Sequence, residues 1–122
     1  MKKKILIVDD EEDILSMIKM RLEANNYEVI TACDGNSGFD MARTENVNLI
    51  ILDLTLPGMD GYQVCRLLKF DEKFKDIPII MLTARGQQED KQWGLKVKVD
   101  FYMTKPFEAK ELLAKVKELL GE

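Results

Sequence analysis

Apolar residues in this chain gather in five short runs, Ile5 to Val8, Tyr27 to Ala32, Leu49 to Leu52, Ile77 to Leu82 and Phe101 to Met103. Each has the length of a strand and is bounded by polar or turn-forming residues, so each is predicted to be a β-strand. Between the runs, apolar positions recur at helical spacing. The clearest are Ile14, Leu15, Ile18 and Leu22 in the first interval and Leu112, Leu113, Val116, Leu119 and Leu120 in the last. The first, third and fourth runs are continuous rather than alternating, the pattern of strands covered on both faces. Strands alternating with helices, with burial on both sides, predict a parallel α/β sheet, and right-handed crossovers put a helix layer on each face.

The residues between elements agree with this reading. Asp10, Glu11, Glu12 and Asp13 load acids into the first turn of the first helix, where the helix dipole favours anions. Asn25 and Asn26 close that helix, Gly35 opens the second, Asp60 caps the third and Gly86 precedes the fourth. No internal repeat, low-complexity tract or linker interrupts the 122 residues, so one domain spanning residues 1–122 is expected.

Composition narrows the chemistry. Apolar residues at 46% and charged residues at 33% suit a packed core, and a net charge of −4 offers no basic face to neutralise the phosphates of a nucleic acid. The opening MKKKILIV stops at Asp9 and Asp10, too soon for a signal-peptide core, and no run approaches the length of a membrane span. A cytoplasmic protein with no membrane attachment is expected. Cys33 and Cys65 stand apart among apolar neighbours and form no paired motif, so both are expected to be reduced, buried thiols. Trp93 is expected to pack on the fourth helix, and Lys91, Lys96 and Lys98 to form a solvated face. Histidine is absent. That excludes Ser-His-Asp and Cys-His catalysis, histidine-bound zinc and a phosphohistidine on this chain. What remains is carboxylate, hydroxyl, lysine, or a metal held by oxygen.

Ligands of open parallel sheets bind beyond the carboxyl ends of the strands, so the residues that end each run matter most. They are Asp9 and Asp10 after the first run, Asp53 after the third, Thr83 and Ala84 after the fourth, and Lys105 and Pro106 after the fifth. Two anions about 4 Å apart repel by roughly 4 kcal/mol at an effective dielectric near 20, so such a cluster needs a cation. Lys105 can supply part of the charge and a divalent ion the rest. With oxygen donors alone, Mg²⁺ is favoured over zinc or copper, and over calcium for want of a ligand-rich loop. An Mg²⁺ ion with few protein ligands keeps positions open for water and phosphate oxygens, which points to phosphate chemistry. A carboxylate can itself be the nucleophile there, forming an aspartyl phosphate. Asp53, leaving the central strand, is the best candidate, with Asp9 and Asp10 holding the metal, Lys105 offsetting phosphoryl charge and Thr83 donating to it.

The segments ILIVDDE, ILDLTLPGMDG, IIMLTA and FYMTKPF, in this order and spacing, resemble the receiver domain of two-component response regulators over essentially the whole chain. The resemblance implies a flavodoxin-like (βα)5 fold, a five-stranded parallel sheet in order 2-1-3-4-5 with helices on both faces. It implies Asp53 as phosphoacceptor and Mg²⁺ bound directly by Asp10 and Asp53 with the backbone carbonyl of Thr55, Asp9 acting through a metal-bound water. It further implies Thr83 and Tyr102 as a switch pair, Lys105 on the phosphoryl group and a cis bond between Lys105 and Pro106. The implied donor is a sensor histidine kinase or a histidine phosphotransfer protein. The implied output is a changed surface on the fourth helix, fifth strand and fifth helix, offered to an effector protein, to an output domain beyond this sequence, or to a second copy in a phosphorylation-linked dimer. The chain departs from the family pattern at Lys98-Val99, where a Gly-Ala pair is frequent, and at Phe101, where a second acid often stands.

Each residue also has a plainer reading. Asp9-Asp10 alone would more often cap a helix, Asp53 could begin the turn at Thr55 to Gly58, Thr83 could simply end a strand, and Tyr102 could be a half-buried strand aromatic. Their convergence favours function. Two other functions remain open on the sequence: a haloacid-dehalogenase-type phosphatase, which however carries DxDxT where this chain has Asp53-Leu54-Thr55, and a phosphorylation-independent adaptor with a receiver fold.

Overall fold

The computed structural model describes residues 2–84 and 99–122. Five parallel strands, β1 (Lys4–Val8), β2 (Glu28–Ala32), β3 (Leu49–Asp53), β4 (Ile79–Thr83) and β5 (Phe101–Thr104), form one sheet in the order β2-β1-β3-β4-β5. Four helices are described: α1 (Glu12–Glu23), α2 (Gly35–Thr44), α3 (Gly61–Lys69) and α4 (Ala109–Leu119). The expected helix after Gly86, with Arg85, Lys91, Trp93, Lys96 and Lys98, lies outside the described residues.

The continuous apolar runs are explained by a division of parity. Leu6, Val8, Ile50, Leu52, Ile79 and Met81 face α2 and α3, where they meet Ala42, Val64, Cys65 and Leu68. Their alternates Ile5, Ile7, Leu49, Ile51, Ile80 and Leu82 face Ile18 and Leu22 of α1 and Leu112 and Val116 of α4. Every residue of β3 and β4 is therefore buried. The flanking strands β2 and β5 are only partly covered. Truncating one of these central side chains to alanine costs about 2–5 kcal/mol in well-packed cores.

Local chemistry sets the connections. Asp60 accepts the Gln63 N–H at 2.9 Å while the Gln63 side chain accepts the Asp60 N–H, a reciprocal cap that starts α3 as expected. Asp34 caps α2 through the Ser37 N–H at 2.7 Å. Asn26, after α1, takes the left-handed conformation that asparagine tolerates. Gly61 is required by close approach, because a Cβ there would stand 2.4 Å from the backbone oxygen of Asp53.

Two expectations need correction. The first helix begins at Glu12, so Asp10 and Glu11 precede its first turn. The Asp9 carboxylate accepts the Glu11 N–H at 2.9 Å, holding a turn there and delaying the helix. Cys33 is exposed and only Cys65 is buried. Ala32 is the last inward residue of β2, and Cys33 follows it into the turn that leads to Asp34. Among the described residues, no helix is long and apolar enough to cross a membrane.

Candidate phosphoryl-acceptor site

Parallel strands bring residues far apart in sequence to one edge. Asp9 follows β1 directly, its N–H bonded to the Ala32 carbonyl at 3.1 Å, and Asp53 ends β3. Thr83 ends β4, and its carbonyl accepts the Lys105 N–H at 2.7 Å, fixing the residue that follows β5. The Leu54 N–H, bonded to the Leu82 carbonyl, and the Gly61 N–H, bonded to the Leu54 carbonyl, pin the loop beyond Asp53. The bond between Lys105 and Pro106 is cis, as the resemblance implied.

Within this frame Asp9, Asp10 and Asp53 offer carboxylate oxygens that all lie within 4.8 Å of one another. Asp9 is fully buried and Asp53 is 5% exposed, whereas Asp10 faces solvent. The Lys105 ammonium reaches Asp9 Oδ2 at 3.0 Å and Asp53 Oδ1 at 3.3 Å. It also meets Glu11 Oε1 at 3.0 Å. Glu11 is the residue that sequence reasoning missed. Its signal was faint: a glutamate two positions after Asp9, at a helix start where Ser, Thr, Asp or Asn would be the usual cap. A cleft of about 240 Å³ opens among Asp10, Glu11, Asp53, Thr55, Ala84 and Lys105.

The electrostatics follow from burial and crowding. Burial, reinforced by the Asp9 anion, pushes the Asp53 carboxyl from 3.8 up to about 6, with Lys105 pulling the other way. Burial alone would lower Lys105, but its contacts with Glu11, Asp9 and Asp53 outweigh it and hold the ammonium above the usual lysine range. The Thr83 hydroxyl is buried with no hydrogen-bond partner among the described residues. Native structures seldom leave a buried polar group so, and here it is a donor available to an acceptor entering the site. Tyr102 is half-buried against the α2–α3 core, and burial together with the neighbouring Tyr62 hydroxyl pushes its phenol upward.

Three clustered carboxylates with one ammonium leave negative charge in excess. The donors are all oxygen, with neither imidazole nor thiolate, and one acid faces solvent. That set fits a hard divalent cation that retains water, which describes Mg²⁺ better than zinc.

A model of the response regulator receiver domain matches residues 5–117. The chain belongs to that family. The receiver is 47% identical over 120 residues to the alkaline phosphatase synthesis transcriptional regulatory protein PhoP of Bacillus subtilis, covering 98% of this chain and 49% of that protein. It spans about half the length of the curated relatives it matches. Among solved structures it superposes on the chemotaxis response regulator CheY4 of Vibrio cholerae with a TM-score of 0.90 at 32% identity, over 98% of this chain and 99% of the other. The receiver domain of a sensor histidine kinase from Pseudomonas aeruginosa, with a magnesium ion coordinated in its active-site cleft, matches at 30% identity and a TM-score of 0.90 over the whole of both chains. The sheet order expected from the resemblance is the order observed. The family is one of signalling receivers rather than of substrate-turnover enzymes, which removes the phosphatase alternative.

Proposed function

We propose that this receiver is a phosphorylation-dependent switch of a two-component relay, with Asp53 as its phosphoacceptor. The observation that carries the reading is the setting of the Asp53 carboxylate. It sits at the end of the central strand, buried beside Asp9 and Asp10, with Lys105 Nζ 3.3 Å away. Above about pH 6 this carboxylate is an anion and a competent nucleophile. In the transfer, one Asp53 oxygen bonds to phosphorus as the P–N bond to the donor's imidazole breaks, and the electron pair stays on that nitrogen. The donor is a sensor histidine kinase or a histidine phosphotransfer protein. The chain catalyses its own phosphorylation and dephosphorylation and turns over no separate substrate.

Asp10 and Asp53, with the backbone carbonyl of Thr55 and with Asp9 through water, are the groups that would hold Mg²⁺. When bound, the ion offsets charge on the phosphoryl oxygens. Lys105 supplies the second positive charge, and the Thr83 hydroxyl, which has no hydrogen-bond partner among the described residues, donates to a phosphoryl oxygen. The pull on Thr83, with Tyr102 turning inward, is the switch that remodels the surface of β5 and of α4, together with the expected helix after Gly86, which lies outside the described residues. That surface addresses an effector, an output domain or a second copy of the chain. The setting for such a relay is the cytoplasm.

Incubation with a small-molecule phosphodonor and Mg²⁺, followed by intact mass, tests the reading. One phosphoryl group is expected on the unaltered chain and none on Asp53→Ala or in EDTA; equal labelling of the two proteins would remove Asp53 from its role.

A further inference from the structure

The Lys105 ammonium is shared by three carboxylates, and the three are not alike. Asp9 and Asp53 are buried acids of the cluster. The Glu11 side chain is 59% exposed, yet its Oε1 lies 3.0 Å from Lys105 Nζ. Glu11 occupies the N-cap of α1 but makes no side-chain cap hydrogen bond. Its N–H is taken by Asp9, and its carbonyl accepts the Ile14 and Leu15 N–H groups. The backbone is thus fixed, and the side chain is left to reach across the cleft mouth to a residue 94 positions away.

An anion entering beside Asp53 calls on the same ammonium, which must loosen an existing contact to meet it. The Asp53 carboxylate itself bonds to the entering group and hands its charge on, but releasing Asp9 would strand a fully buried charge. Releasing Glu11 only returns an exposed carboxylate to water. We infer that Glu11 is a positioning residue that tethers Lys105 in the resting receiver and competes with the incoming phosphoryl group for it, so setting how readily the phosphorylated state is reached. The inference rests on the reading of Asp53 as phosphoacceptor.

The test is binding of beryllofluoride, a phosphoryl mimic, to the whole chain with saturating Mg²⁺, followed by fluorine NMR. Glu11→Gln, which removes the charge, is expected to bind about 2–5-fold more tightly, the scale of an ion pair with one exposed partner. Glu11→Asp keeps the charge but shortens the arm by one methylene, and is expected to bind more tightly as well. Glu12→Gln removes the same formal charge one residue further on and is expected to change affinity by much less. The tether is overturned by Glu11→Gln affinity equal to that of the unaltered chain, by Glu11→Asp matching the unaltered chain, or by Glu12→Gln matching Glu11→Gln. An unaltered chain that binds no beryllofluoride removes the phosphoacceptor reading itself, and this inference with it.

Discussion

Replacing Asp53 by asparagine removes one anion from a buried acidic cluster while keeping the side chain's size, so the receiver should become more stable at neutral pH. The magnitude follows from proton linkage. The Asp53 carboxyl titrates near 3.8 when unfolded and near 6 in the fold, raised by burial and by Asp9. Between those values the folded state binds more protons than the unfolded one, so stability falls as pH rises from 3.8 to 6 and the loss is complete above 6. At about 1.4 kcal/mol for each tenfold change in proton affinity, the ionised carboxylate costs about 3 kcal/mol. Asparagine mimics the protonated form and should recover much of that. Urea unfolding in EDTA, followed by circular dichroism, should show Asp53→Asn more stable by about 2–3 kcal/mol at pH 7.5, with about half that gain at pH 5. A variant no more stable than the unaltered receiver at pH 7.5, or one whose gain stays constant between the two pH values, would refute the account of Asp53 as an anion destabilised by burial and by Asp9.

Three further outcomes are expected. Lys105→Met leaves the fully buried Asp9 carboxylate without its cation and should lower stability by about 2–4 kcal/mol in the absence of divalent ions, read by the same urea titration. Gly61→Ala forces a methyl group to within 2.4 Å of the Asp53 backbone oxygen and should cost about 1–3 kcal/mol; an unchanged melting temperature would show that the loop yields freely. Asp60→Ala removes one half of the capping box on α3 and should cost about 1 kcal/mol, measurable as a shift in the urea midpoint with the slope unchanged.

The legible features were those set by local pattern. The unbroken apolar run from Leu49 to Leu52 announced a strand buried on both faces, and its parity partners in β1 and β4 show why alternation was missing. Because all five strands run parallel, residues that end the runs share one edge, so Asp9, Asp53 and Lys105 could be placed together from sequence. The order of the strands could not be read from pattern alone, since periodicity says which faces are buried and nothing of which strand lies outermost; it came with the family resemblance. Glu11 escaped because an acid at a helix start already has an explanation in the helix dipole, while its partner Lys105 is distant in sequence. Lys69 escaped for the same reason. Its ammonium binds Asp100 at 2.8 Å and the Ile77 carbonyl at 2.9 Å, joining the end of α3 to the entries of β4 and β5. Cys33 was misjudged because its burial was inferred from apolar neighbours in sequence, although it lies just beyond the strand end at Ala32, in the turn that leads to Asp34.

Reductive trapping tests the central claim most directly. The receiver is incubated with a phosphodonor and Mg²⁺, treated with borohydride, digested and mapped by mass spectrometry. An acyl phosphate on Asp53 is reduced to homoserine, so the account predicts homoserine at position 53 and at no other acid, Asp9, Asp10 and Glu11 included. Homoserine at Asp9 or Asp10, hydroxynorvaline at Glu11, or an unmodified Asp53 in a protein that has gained a phosphoryl group, would contradict it.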